Sequence, residues 1–120
     1  MILIIGGAYQ GKLEFAKNQY GITEEEIYTC TAGEIDFDKQ CIYKIEEFTY
    51  HHPDPIGYFK ANRTDWENSI LICQDIFCGV VPMGAENRAW RQNTGRLSQY
   101  LSKEATQVSR IFCGLEQRLK

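Results

Sequence analysis

The first residues able to do chemistry are Gly6-Gly7-Ala8-Tyr9-Gln10-Gly11-Lys12-Leu13. They fit the G-x-x-x-x-G-K spacing of a phosphate-binding loop and depart from the full pattern only at the last position, where Ser or Thr is usual. Glycines let the backbone wrap around a phosphate with its N–H groups turned inward. A following helix aims its positive end at the same anion. Lys12 would reach the outer phosphates as a point charge. The competing reading is a strand-to-helix turn that carries glycines and a lysine by chance. An apolar run before the loop and helical spacing after it favour the phosphate reading. Leu13 lacks the hydroxyl that would ligate Mg²⁺. Magnesium remains possible but weakened, held by the nucleotide, water and Asp75, because this ion keeps several waters in any case.

Asp75 closes the apolar run Ile70-Leu71-Ile72-Cys73-Gln74. An acid at the end of such a strand suits a metal-bound water or a base that orients an attacking hydroxyl. It equally suits a helix cap or a loop aspartate. Further on, Arg88, Arg91, Arg96 and Gln99 fall on one arc of an expected helix. They would clamp phosphates or an anionic substrate, or form an ordinary solvated face.

The elements that must position these groups follow from the pattern of apolar residues. Residues 2–5, Ile-Leu-Ile-Ile, read as a strand covered on both faces. Leu13, Ala16 and Tyr20 continue at helical spacing, with Gly21 as the C-cap. Residues 27–31 are a second strand. Ile42, Ile45 and Phe48 recur every three residues and predict a helix, although residues 41–45 alone would pass for a strand. Asp54-Pro55 supplies an N-cap followed by proline at the first helical position, opening a helix to about Arg63. Residues 69–75 form the clearest buried strand after the first. Residues 79–84 read as a loop, 85–102 as a helix with Trp90, Thr94, Leu97 and Leu101 on one face, and 108–113 as a last strand. Strands alternating with helices predict a parallel sheet with right-handed crossovers, and ligands in such sheets sit beyond the carboxyl ends of the strands.

Composition bounds the rest. A chain of 120 residues with 43% apolar and 24% charged residues is expected to form a single nucleotide-binding α/β domain over residues 1–120. The net charge of −3 argues against nucleic acid as a partner. Cys30, Cys41, Cys73, Cys78 and Cys113 show no metal-like register and read as reduced thiols. The opening apolar run is too short for a membrane span or leader, so a cytoplasmic location is expected.

With these residues in view, the sequence resembles a known family. Gly6-Gly7-Ala8 with Gly11-Lys12 resembles the opening of the adenosylcobinamide kinase/adenosylcobinamide-phosphate guanylyltransferase family. Gln74-Asp75 stands where that family has Asn-Glu. Gly79, Val81-Pro82, Arg88, Arg91, Gly95-Arg96, Gln99, Ala105, Val108, Gly114 and Lys120 follow. The likeness runs over about the first 17 residues and from Ser69 to the end. It implies a three-layer P-loop (RecA-like) domain with a small, mostly parallel sheet, assembled as a homo-oligomer. It further implies ATP or GTP as donor and phosphoryl or nucleotidyl transfer to a cobinamide-type acceptor in cobalamin biosynthesis. By matching positions, Lys12 and the loop Gly6 to Leu13 carry phosphate binding and Asp75 takes the acidic role.

The chain departs from the family pattern at Leu13 and at Gln10, where serine is usual. It is also shorter than the usual enzyme. Between Thr31 and Ser69 it lacks the segment that carries the guanylate-accepting histidine, and His51 and His52 stand before Pro53 in no matching context, as exposed loop residues. Two functions stay open: an active kinase or nucleotidyltransferase, and a catalytically degenerate nucleotide- or anion-binding relative acting through a protein partner.

Overall fold

Residues 2–5 offer no polar side to water, and the fold covers them on both faces. They form most of the strand β1 (Ile2–Gly6), which lies at the centre of a six-stranded sheet. In this computed structural model, residues 1–76 and 85–120 are described, with side chains of the last helix from Asn87 onward. The expected 79–84 loop, Cys78, and the family-like Gly79, Val81 and Pro82 lie outside the described residues.

After β1 come α1 (Lys12–Tyr20), β2 (Ile27–Thr29), β3 (Cys41–Tyr43), α2 (Ile45–His51), α3 (Pro55–Ala61) and α4 (Arg63–Trp66). The chain continues through β4 (Ile70–Gln74), α5 (Ala85–Glu104), β5 (Gln107–Phe112) and β6 (Leu115–Arg118). The strand order is β2-β3-β4-β1-β5-β6. All neighbours run parallel except β5 and β6. The protein is thus an α/β domain with a mostly parallel sheet between two helical layers. Ile4, Ile70, Ile72 and Ile111 meet Ala16 of α1 on one face. Leu3, Ile42, Leu71 and Val108 meet Phe48, Phe59, Trp66, Leu97 and Leu101, from α2 to α5, on the other.

The local signals that held have clear causes. Gly21 ends α1 in the left-handed region (φ 67°), its N–H donating to the Lys17 carbonyl. The Asp54 carboxylate accepts from the Gly57 N–H at 3.1 Å, with Pro55 opening α3.

Two expectations need correction. The helix expected from the 42-45-48 spacing begins only at Ile45. Residues 41–43 instead form β3, because Ile42 pairs with Tyr28 on one side and Leu71 on the other. Lys44 turns the chain through the left-handed region (φ 61°) between strand and helix. The last strand ends at Phe112, and Cys113 and Gly114 (φ 52° and 75°) turn it into β6. Two positive-φ residues between paired strands form the tight turn that matches strand twist.

Candidate functional site

The loop after β1 is shaped by close approach on one side and backbone conformation on the other. A Cβ on Gly6 would lie 2.6 Å from the Ile111 carbonyl oxygen of β5, so no larger residue fits there. Gly11 caps α1 with φ 92°, a conformation that costs a residue with a side chain. Phe15 is the first residue whose N–H returns along the helix, to the Gly11 carbonyl at 2.9 Å. The N–H groups of the first turn therefore have no partner within the helix, and they open at the carboxyl edge of the sheet.

Lys12 stands at the start of α1 and is only 7% exposed. Its Nζ donates to the Gly7 carbonyl at 2.6 Å, across the loop. Burial lowers the ammonium below the usual lysine range, while the charge of Glu46 opposes that shift.

Gln10 faces away from this lysine in its bonding. Its Oε1 accepts from the Cys113 N–H at 2.6 Å, and its carbonyl accepts from the Gly114 N–H at 2.9 Å. The β5–β6 turn is thereby fastened to the loop by two bonds from one residue. Tyr9 (φ 60°) is fully exposed beside it.

A cleft of about 480 Å³ opens here, lined by the residues from Ala8 to Glu14 together with Tyr43, Lys44 and Gln74. Leu13 packs against the apolar cluster beneath α1 and brings only carbon to the site. The Asp75 N–H donates to the Gly6 carbonyl at 2.7 Å, which sets Asp75 beside the loop, at the end of β4. The structure therefore gathers Gly6 to Leu13 with Gln74 and Asp75. Arg88, Arg91, Arg96 and Gln99 lie elsewhere, along a hollow on α5 that also includes Gly95 and Lys103.

Two residues in this region were not legible as site residues. Lys44, in the turn after β3, adds a second cation to the cleft wall. Glu46 is a buried carboxylate whose Oε1 accepts from the Gln74 N–H at 2.9 Å. Both fall in the segment read as helix, where charge alternation looks like an ordinary amphipathic face. Glu46 is held from behind: its carbonyl accepts from Trp90 Nε1 (2.8 Å) and from the Thr49 hydroxyl (2.8 Å). Thr49 Oγ1 also meets Thr94 Oγ1 at 2.6 Å. Since the Thr49 proton goes to the carbonyl, Thr94 is the donor of that last bond.

The histidines are apart from the cleft. His51 ends α2, and the His52 ring packs on Phe48 and Tyr58 while its Nδ1 accepts from the Asp54 N–H. His52 is therefore a half-buried packing residue rather than an exposed loop histidine. Among the described residues no three His, Cys, Asp or Glu side chains gather as a metal site, and no helix is long and apolar enough to cross a membrane.

A comparison with curated proteins finds no match. The protein-family model described as cobinamide kinase / cobinamide phosphate guanyltransferase matches residues 56–119. That stretch runs from α3 to the end of the sheet; the glycine-lysine loop lies before it. It contains Asp75, the arginines of α5 and the turn that Gln10 grips. With just over half of its residues matched, the chain belongs to the cobinamide kinase / cobinamide phosphate guanyltransferase family.

Proposed function

We propose that this chain binds the phosphates of ATP or GTP on the Gly6 to Leu13 loop and transfers a phosphoryl or nucleotidyl group to a cobinamide-type acceptor. One observation carries the reading. The glycine-lysine turn joins the central parallel strand to α1 at the carboxyl edge of the sheet, with Lys12 and the cleft beside it. That is where α/β sheets receive anionic ligands, and family membership names the chemistry.

In this reading Lys12 exchanges the Gly7 carbonyl for a phosphate oxygen, and the helix N-terminus shares the charge. Asp75 orients the attacking hydroxyl of the acceptor. Arg88, Arg91, Arg96 and Gln99 clamp the acceptor's anionic groups, which fits their place on α5 away from the loop. The site suits a nucleotide but offers Mg²⁺ no direct ligand beside Lys12, because Leu13 is apolar and packed. The nucleotide brings its own metal, and the protein meets it only through water. The chain works as a single domain within a homo-oligomer.

The packed Leu13 and the engaged Lys12 favour a second reading, a relative that holds nucleotide without turning it over and serves a partner protein. Incubation of the protein with ATP or GTP, Mg²⁺ and adenosylcobinamide separates the two. A phosphorylated or guanylylated corrinoid, seen by mass spectrometry, supports the enzyme. Nucleotide binding with no product at high protein concentration leaves the binding relative.

A further inference from the structure

Glu46 is a carboxylate for which the reading above has no use, yet it is only 6% exposed. A buried acid is costly unless its charge is met by hydrogen bonds and an opposite charge. The hydrogen bond is present: Oε1 accepts from the Gln74 N–H at 2.9 Å, at the last residue of β4.

The positive charge that feels it lies in the other helical layer, where the charge of Glu46 works on the Lys12 ammonium against the effect of burial. Gln74 is the register partner of Gly6 in the neighbouring strand. Over Gly6 lies the stem of Lys12, since a Cβ built there would be 3.3 Å from Lys12 Cγ and 3.4 Å from Cδ. Paired strands are about 4.8 Å apart. α1 delivers its cation and α2 its anion to the ends of two adjacent strands, one from each face of the sheet.

We propose that Glu46 is a positioning residue for Lys12, a fixed buried counter-charge that holds the ammonium at the sheet edge while its partner changes from the Gly7 carbonyl to a phosphate oxygen. This rests on the phosphate reading of the loop. Glu46 does not line the cleft, so it acts through Lys12 and not on the nucleotide. Its rigidity comes from the Trp90 and Thr49 bonds to its own carbonyl. Other groups face Lys12 or stand near it. Cys73, beneath, is kept a neutral thiol because burial pushes it far above its ordinary value. Asp75 follows β4, Tyr43 ends β3 with Lys44 in the turn after it, and Glu14 lies in α1. Among the described residues only Glu46 joins burial to an anchored carboxylate at this edge.

The test follows the Lys12 ammonium directly. Glu46→Gln keeps an oxygen for the Gln74 amide and removes the charge. In lysine-labelled protein, with Lys12→Ala to assign the signal, the Lys12 titration by NMR should move down by about one pH unit in E46Q. The alkaline fall in GTP affinity should move down with it, giving roughly tenfold weaker binding at the pH where wild type still holds its proton. A Lys12 titration unmoved in E46Q overturns the proposal. Should E46Q not fold, Glu46→Asp retains the charge but draws it back, and must lower the titration part of the way; no movement there is equally fatal. A shifted titration in a protein that binds no GTP leaves the Glu46–Lys12 pairing intact and removes the nucleotide reading instead.

Discussion

Gln10 Oε1 accepts from the Cys113 N–H at 2.6 Å, joining the first loop of the chain to its last hairpin across 103 residues of sequence. The loop is thus braced from outside before any ligand arrives, and preorganisation of this kind spares the ordering cost on binding. Gln10→Ala should cost about 1 kcal/mol of stability. Urea unfolding measures that loss. Amide hydrogen exchange at Cys113 and Gly114 should quicken as the turn comes free, and unchanged exchange at both would show that the brace is not made in solution.

The close approach of β5 makes Gly6 a strict position. Gly6→Ala places a methyl 2.6 Å from the Ile111 carbonyl. The strands must part or the loop must shift, at roughly 1–3 kcal/mol. Denaturant melts should show that loss together with weaker nucleotide binding.

Burial decides which thiols react. It pushes Cys30 and Cys41 up to about 12 and Cys73 higher still, whereas Cys113 stands exposed at the turn. The thiolate is the reactive form. Brief alkylation of the folded protein at pH 8, followed by peptide mass mapping, should label Cys113 and spare Cys30, Cys41 and Cys73. Labelling of Cys73 at a rate like that of Cys113 would contradict the buried β4.

The ionisation of Lys12 links stability to pH. In the fold its ammonium titrates below the 10.5 of a free lysine, chiefly through burial. Between that lowered value and 10.5 the unfolded chain binds more protons than the folded one, so stability rises with pH across this window. Lys12→Met lacks the effect. The stability of wild type relative to K12M should therefore climb from neutral pH towards pH 10.5 in paired urea titrations, and a flat or falling difference would be inconsistent with a buried ammonium.

Much of this site was legible because its signals are local. Glycines, a lysine, an unbroken apolar strand and helical spacing after it define the loop without reference to anything distant, and the Asp54-Pro55 cap is equally self-contained. What escaped was set by partners far along the chain. Nothing around Ile42 says that Tyr28 and Leu71 will flank it, so a period of three looked like a helix. Glu46 reads as a surface acid until β4 brings the Gln74 amide to it. Gln10 looks like a departure from a motif until the hairpin at Cys113 shows what it holds. β6 was missed because Leu-Glu-Gln-Arg at an exposed edge has neither the burial nor the alternation that marks a strand.

In the proposed function the Gly6 to Leu13 loop grips a polyphosphate through Lys12. Calorimetric titration of GTP and ATP into wild type and Lys12→Ala, with and without Mg²⁺, measures that grip. Wild type should bind saturably, K12A should lose roughly 2–5 kcal/mol, and Mg²⁺ should matter little because Leu13 gives the metal no hold. Wild type that binds neither nucleotide, or K12A that binds as tightly as wild type, would contradict it.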